Sequence, residues 1–299
     1  MSSLFSRFQS KLPQFALLLI TIVWGATFVV VKYGLTLSSP VLFVALRFAA
    51  AALAVTFISW KSLKGMRAFE LYAGAAIGLV IALGYATQTI GLQTISSSES
   101  AFLTALYVPL VPILLWLLFA KKPHVMTWLG AALAFLGLLF LTGNGLGTIS
   151  LNFGQLLTLL SSIAIALEII LISYFAPKVN TQRVTVLQLI FASLFCFCIA
   201  PCIGETQLPE WHPHLFFILI GLGLASACIQ LVMNWAQQMV DPSQAAIIYA
   251  GEPIWASLFA RFTGERLPFV VLLGGFLVVL GIITSEWRPQ SLKKKSPKA

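Results

Sequence analysis

The sequence predicts an all-α polytopic membrane protein, with ten transmembrane helices as two inverted five-helix repeats. Three observations carry this. Of the 299 residues, 59% are hydrophobic and only 9% charged, where soluble domains average roughly 25% charged. Ten apolar runs approach or reach the ~20 residues that a spanning helix needs. The second half of the chain repeats residues of the first at a nearly constant offset. The runs are continuous rather than alternating, which argues against a β-barrel.

The runs fall in order at about 14–34, 41–60, 70–92, 99–119, 125–143, 152–175, 184–203, 213–237, 243–262 and 268–286. Arg7 and Lys11 precede the first, which continues to Gly34. It is too long for a signal-peptide core and has no small-residue cleavage site, so none is expected. Short loops make sequential helices antiparallel neighbours and leave no room for a soluble domain. Trp60, Trp116, Trp211 and Trp287 sit near run ends, where Trp anchors at the membrane interface. Cys196, Cys198, Cys202 and Cys228 match no zinc or redox spacing and are expected as small buried hydrophobes.

The net charge of +9 does not point to nucleic acid, because the cations sit in loops and tails. With the N-terminus in the cytoplasm, 14 of the 18 Lys and Arg lie inside. The outer loops hold Arg261 and Arg266 beside Glu99, Glu205, Glu210 and Glu265. The positive-inside rule therefore predicts both termini in the cytoplasm. Lys293, Lys294 and Lys295 form a basic tail expected to be disordered and to touch anionic lipid.

Sliding the chain by 141 residues brings Gln14 onto Gln155, Tyr33 onto Tyr174, Leu46 onto Leu187 and Pro112 onto Pro253. After the next loop the offset is 144, with Gly130 on Gly274 and Gly137 on Gly281. The predicted division is 1–143 for the first repeat, 144–286 for the second and 287–299 for the tail. An odd helix number per repeat inverts the second half, the architecture in which secondary transporters hold solute at midplane.

The chain turns on Tyr249-Ala250-Gly251-Glu252-Pro253-Ile254-Trp255. An acid lies mid-run, and Pro253 cannot donate to the Tyr249 carbonyl, so a bend is expected there. Glu252 either lines a solute path or is a structural acid bonded to a neighbouring helix. Glu168 is the second intramembrane acid. A carboxylate withdrawn from water is disfavoured as an anion, which makes Glu252, then Glu168, candidates for proton coupling.

Tyr85 and Gln88 share one face with Gly74 and Gly78, a small pair that lets helices approach. Ser226, Gln230 and Asn234 repeat the arrangement, and Thr104 and Tyr107 precede Pro109 and Pro112. Trp24 and Trp255 lie deep in their runs, where each either stacks on a solute or fills the core. The candidate solute contacts are thus Glu252, Tyr85, Gln88, Tyr107, Trp24, Gln230, Asn234, Tyr249 and Trp255. Lys32 and Arg47 either snorkel outward, or attract a carboxylate or phosphate at the outer mouth, or pair with Glu99.

Trp24-Gly25-Ala26-Thr27-Phe28, Leu46-Arg47-Phe48, Glu252-Pro253, Gly264-Glu265, Gly274 and Gly281 together resemble the EamA branch of the drug/metabolite transporter superfamily. The likeness covers nearly the whole chain. The first half departs from it, with Val111-Pro112 and Lys121-Lys122 near the positions of Glu252-Pro253 and Gly264-Glu265. The resemblance implies a secondary carrier of the bacterial inner membrane, without ATP, metal or other cofactor. Its solutes would be amino acids, related metabolites or drugs, exported by alternating access with protons as a possible partner. An uncoupled facilitator or exchanger is the alternative. Nucleotide-sugar and phosphate-ester carriers share the superfamily but need central cations, and the expected midplane charges here are acidic. No HExxH, GxSxG or metal-spaced His cluster is present, so no catalytic residues are expected.

Overall fold

The computed structural model describes residues 2–122, 124–141, 151–210, 212–266 and 268–286. Trp211, Trp287 and the three tail lysines lie outside them. All regular structure among the described residues is helical: α1 Ser2–Gly34, α2 Pro40–Ser59, α3 Ala68–Leu92, α4 Ser97–Thr104, α5 Tyr107–Phe119, α6 Val125–Leu141, α7 Phe153–Phe175, α8 Thr181–Cys202, α9 Pro213–Ala236, α10 Pro242–Tyr249, α11 Glu252–Phe262 and α12 Phe269–Glu286, with single 3₁₀ turns after α2 and α7. Seven stretches are long and apolar enough to cross a membrane, among them Ser97–Phe119, which runs through α4 and α5. Val125–Phe140 and Phe269–Thr284 are shorter apolar helices. The chain is a multi-pass membrane protein whose outward faces carry large apolar side chains such as Phe57, Phe217 and Phe262.

Helix starts follow local chemistry. Pro40, Pro213 and Pro242 occupy first-turn positions, where a missing N–H has no cost. Asn152 and Gln155 form a reciprocal capping box at the start of α7. Two starts are capped from far along the chain. The Glu205 carboxylate accepts from the Val41 and Leu42 amides at the head of α2, and Glu265 accepts from the Ser97 amide at the head of α4.

The packing is reciprocal. α1 lies on α9, α10 and α11, and α7 lies on α3, α4 and α5. α2 packs on α9 and α8 packs on α3. α4 meets α11 and α10 meets α5, while α2 meets α8 and α6 meets α12. Exchanging α1–α6 for α7–α12 returns the same pattern. Close approaches repeat in the same way. A Cβ at Gly78 would come within 2.7 Å of the Gln188 carbonyl and Phe191 Cβ on α8, and a Cβ at Gly223 within 2.7 Å of Ala50 Cβ on α2.

The fourth and ninth apolar runs are each broken. α4 ends at Thr104 and α5 begins at Tyr107; α10 ends at Tyr249 and α11 begins at Glu252. Pro109 and Pro253 lack the N–H that would continue the ladder, and their rings crowd the preceding turn. The chain tightens instead, with Leu106 bonding back to Leu103, Val108 to Ala105, and Gly251 to Ile248. Pro112 lies inside α5 without ending it. The two breaks are 145 residues apart, as are Gly78 and Gly223. The sequence offset that put Pro112 on Pro253 is therefore replaced by one that puts Tyr107 on Glu252.

Other expectations need correction. Only Cys196 is buried; Cys198, Cys202 and Cys228 are exposed on the outer surface. Lys32 donates to the Ile95 carbonyl and pairs with Glu265 rather than Glu99, whose carboxylate instead accepts from Gln155.

Gly78→Ala is expected to destabilise by about 1–3 kcal/mol through overpacking of α3 on α8. Gly221→Ala, on a face with nothing within 4 Å, should not. Paired thermal unfolding curves in detergent test the contrast.

Candidate functional site

The two breaks bring Tyr107 and Glu252 together: the phenol of the first donates to Glu252 Oε2 at 3.3 Å. Each is the first residue of the helix after its break, and both side chains are buried. Glu252 Oε1 has no hydrogen-bond partner among the described residues.

Glu168, on α7, is fully buried. Gln188 donates to Gln230 Oε1 at 2.7 Å, and Gln230 donates to Glu168 Oε1 at 2.7 Å. Both amides thus donate in the same direction, toward Glu168. The chain ends in bare acceptors: among the described residues Glu168 Oε2 and Gln188 Oε1 have no hydrogen-bond partner, and neither has Asn234 Oδ1 one turn along α9. Asn234 donates to the Gln230 carbonyl.

Aromatic rings close the surroundings. Trp24 of α1 meets Tyr249 edge to face, with centroids 5.7 Å apart. Gln237 donates to the Tyr249 hydroxyl and accepts from Ser173. Ser173 also lines a cavity of about 360 Å³ between α5, α7 and α10, with Lys121, Tyr174 and Lys178 in its wall. Gln88 donates to Thr104 at 3.0 Å, holding α3 against α4.

Arg47 is where sequence reasoning was furthest from the structure. It does not snorkel outward but is enclosed by protein. It is 3% exposed, its Nε donates to Ser226 Oγ at 2.7 Å, and its guanidinium lies 5.4 Å from the Tyr85 ring centroid and 5.7 Å from that of Phe48. Tyr85 packs against the Arg47 guanidinium and, edge to face, against Phe48, with ring centroids 5.0 Å apart. The core thus holds a cation as well as two acids.

Of the predicted residues, Trp24, Tyr85, Tyr107, Glu168, Gln230, Asn234, Tyr249 and Glu252 gather in this core. Gln88 is buried one step away, with its amide spent on Thr104. Trp255 is half-buried, and its Cβ stands where a Cβ on Gly25 would collide. Sequence reasoning missed Gln188 and Gln237, although an amide inside an apolar run is itself a signal.

The protein is a multi-pass bundle of apolar helices, two of whose runs break at a buried polar core. The profile of the EamA-like transporter family matches residues 12–143 and 152–286, and the chain belongs to that family. It is 31% identical over 273 residues to an uncharacterized transporter of Archaeoglobus fulgidus, covering 91% of this chain and 85% of that one. It is 27% identical over 288 residues to the uncharacterized inner membrane transporter YedA of Escherichia coli (strain K12), covering 93% and 92%. A solved crystal structure superposes with a TM-score of 0.69 at 13% identity, covering 95% of this chain and 99% of the other, a likeness of fold.

Gln230→Leu removes the donor to Glu168 and the acceptor for Gln188. Leaving both buried groups unsatisfied is expected to destabilise by about 1–3 kcal/mol for each group orphaned. Chemical denaturation of purified protein in detergent checks this, and a variant as stable as the parent would dissolve the network.

Proposed function

We propose that the chain is a secondary active transporter that exports amino acids, related small metabolites or drugs by alternating access, as a proton antiporter. Its frame would be two inverted five-helix repeats, 1–143 and 144–286, with a basic tail at 287–299 against anionic lipid. α4–α5 and α10–α11 would each act as one broken span, giving ten, and the membrane would be the plasma membrane with both termini in the cytoplasm. The two separate family matches, the reciprocal packing and the Lys/Arg bias support this frame.

The observation that carries the mechanism is Glu252: a buried carboxylate with one open oxygen, at the crossing of two helix breaks. Non-helical backbone at membrane depth is tolerated where it is buried in protein or lines a cavity. An acid there can exchange a proton for a solute, because each form of the carboxyl suits a different occupant. Protonated, it needs no counter-charge and the carrier returns empty. Ionised, it holds a cationic or ammonium-bearing solute. Proton entry from the acidic outer side then discharges solute outward. Glu168, the second buried acid, is held by Gln230 on one oxygen and would be the second candidate for the exchanged proton.

The second reading is an uncoupled facilitator or exchanger of the same solutes. It is favoured by the hydrogen bonds already holding one oxygen of each acid, which suit a structural role. Phosphate-ester transport fits less well, since a dianion would face two carboxylates with one arginine to balance it.

In proteoliposomes, an imposed pH gradient is expected to drive solute accumulation by the parent. Glu252→Gln should lose that drive by roughly 5- to 150-fold, the usual range of a coupling free energy, and weaken solute binding, so that the counterflow of labelled against unlabelled solute that remains no longer depends on pH. Equal pH-driven accumulation by parent and variant would leave the facilitator reading.

A further inference from the structure

At one end of the bundle α1, α11 and α4 meet over an anion of the chain itself. The Glu265 carboxylate accepts from the Ser97 amide at the head of α4 and pairs at 3.6 Å with Lys32, in the last turn of α1. Exchanging the halves turns these helices into α7, α5 and α10, which also meet one another. Their meeting place lies at the opposite end, where Arg183 at the head of α8 bonds the loop after α2. There the matching place is the cavity of about 360 Å³. Ser173 in its wall lies 141 residues beyond Lys32, and Lys121 lies 144 before Glu265. Lys121 follows Ala120, with φ 54°, as Glu265 follows Gly264, with φ 91°. Each therefore comes directly after a left-handed residue at a helix end.

The acid of one end is thus a cation at the other. Lys178, in the 3₁₀ turn after α7, adds a second cation to the wall, with Nζ 3.1 Å from the Tyr174 ring centroid. Among the described residues the ion pairs are Lys32 with Glu265 and Arg183 with Glu70, so neither lysine has one. Asp241, next to Pro242 in the wall, pairs with neither. The remaining wall is largely apolar, with Leu115, Phe119 and Ile170. Phe119 and Tyr174 stack at 5.9 Å, and both are exposed near the ends of spanning stretches. Along the chain the lysines stand at or just past those ends, and Leu115 and Ile170 stand one to two turns before them. Charge at the surface above apolar side chains is the order of groups in a phospholipid. A larger cavity of about 560 Å³ at the same end, with Thr181, Gln182 and Trp235 in its wall, has no charged side chain there.

We infer that the cavity between α5, α7 and α10 binds an anionic phospholipid, its phosphate held by Lys121 and Lys178 and an acyl chain against Leu115, Phe119 and Ile170. The leaflet is the cytoplasmic one in the orientation proposed above. Lysine meets phosphate as a flexible point charge, and its stem covers apolar surface while its head stays at the interface. A free phosphate would meet the lysines and leave the apolar wall unused. Bound lipid would tie α5, α7 and α10 together at this end, as Glu265 ties α11, α1 and α4 at the other. The difference is that a lipid can leave and Glu265 cannot.

The test is thermal unfolding of the purified full-length protein in detergent, titrated with phosphatidylglycerol or with phosphatidylcholine. A ligand that binds the folded state raises its unfolding temperature. Phosphatidylglycerol is expected to reach half of its full shift at a concentration roughly tenfold or more below that of phosphatidylcholine, in line with two cations beside an anionic headgroup. The preference should vanish in Lys121→Gln/Lys178→Gln and survive in Lys121→Arg/Lys178→Arg. It should also survive in Lys61→Gln/Lys64→Gln, which removes the same charge from the loop after α2, outside the cavity. All three pairs change exposed side chains and should fold. No preference in the parent, or equal loss in the two glutamine pairs, would overturn the site. Inorganic phosphate or glycerol phosphate stabilising as well as phosphatidylglycerol would also overturn it, since the anion would then need no acyl chain.

Discussion

The structure depends on one backbone constraint. Inside a membrane an unpaired amide or carbonyl has no water to turn to, so a helix can be interrupted only where protein surrounds the gap. Pro109 and Pro253 interrupt two helices, and both interruptions are covered. α4 lies against α7 and α11, and α10 lies against α1 and α5. The breaks shelter each other, and the residues that begin the new helices, Tyr107 and Glu252, meet there. Polar chemistry is concentrated at the place where the backbone itself is least regular.

Around that crossing a nearly symmetric frame carries an asymmetric site. The helix contacts, glycine approaches and break positions correspond between the halves, while Arg47 corresponds to Gln188, Tyr85 to Gln230 and Tyr107 to Glu252. Packing holds backbone positions close together and tolerates little change, as the 2.7 Å approaches at Gly78 and Gly223 indicate. Side chains facing the core interior are freer to differ. Matching helix contacts with unlike linings would give the proposed site an electrical direction, which a symmetric lining would not have.

Much of the fold was legible in the sequence because membrane spans announce themselves by length and apolarity; most predicted runs match helix ends to within a few residues, but α1 begins at Ser2 rather than near 14, and the fourth and ninth runs are each two helices. The breaks were less legible. The prolines marked the region, but two prolines three apart allowed two registers, and the choice of Pro112 obscured the correspondence of Tyr107 with Glu252. Arg47 was misplaced for a physical reason. In a single helix an arginine near one end is expected to reach for the interface, and only the tertiary packing of Tyr85, Phe48 and Ser226 holds it inward. Gln188 and Gln237 were missed because amides in apolar helices serve equally as interhelical links, and their partners lie on other helices.

The most direct measurement is an experimental structure with a transported solute bound. The account predicts the solute in the buried core at the two helix breaks, with an oxygen or nitrogen facing Glu252 Oε1 beside Tyr107. A solute held instead in the peripheral cavity beside Ser173, Tyr174 and Lys178, with Glu252 and Arg47 still enclosed by protein, would contradict it.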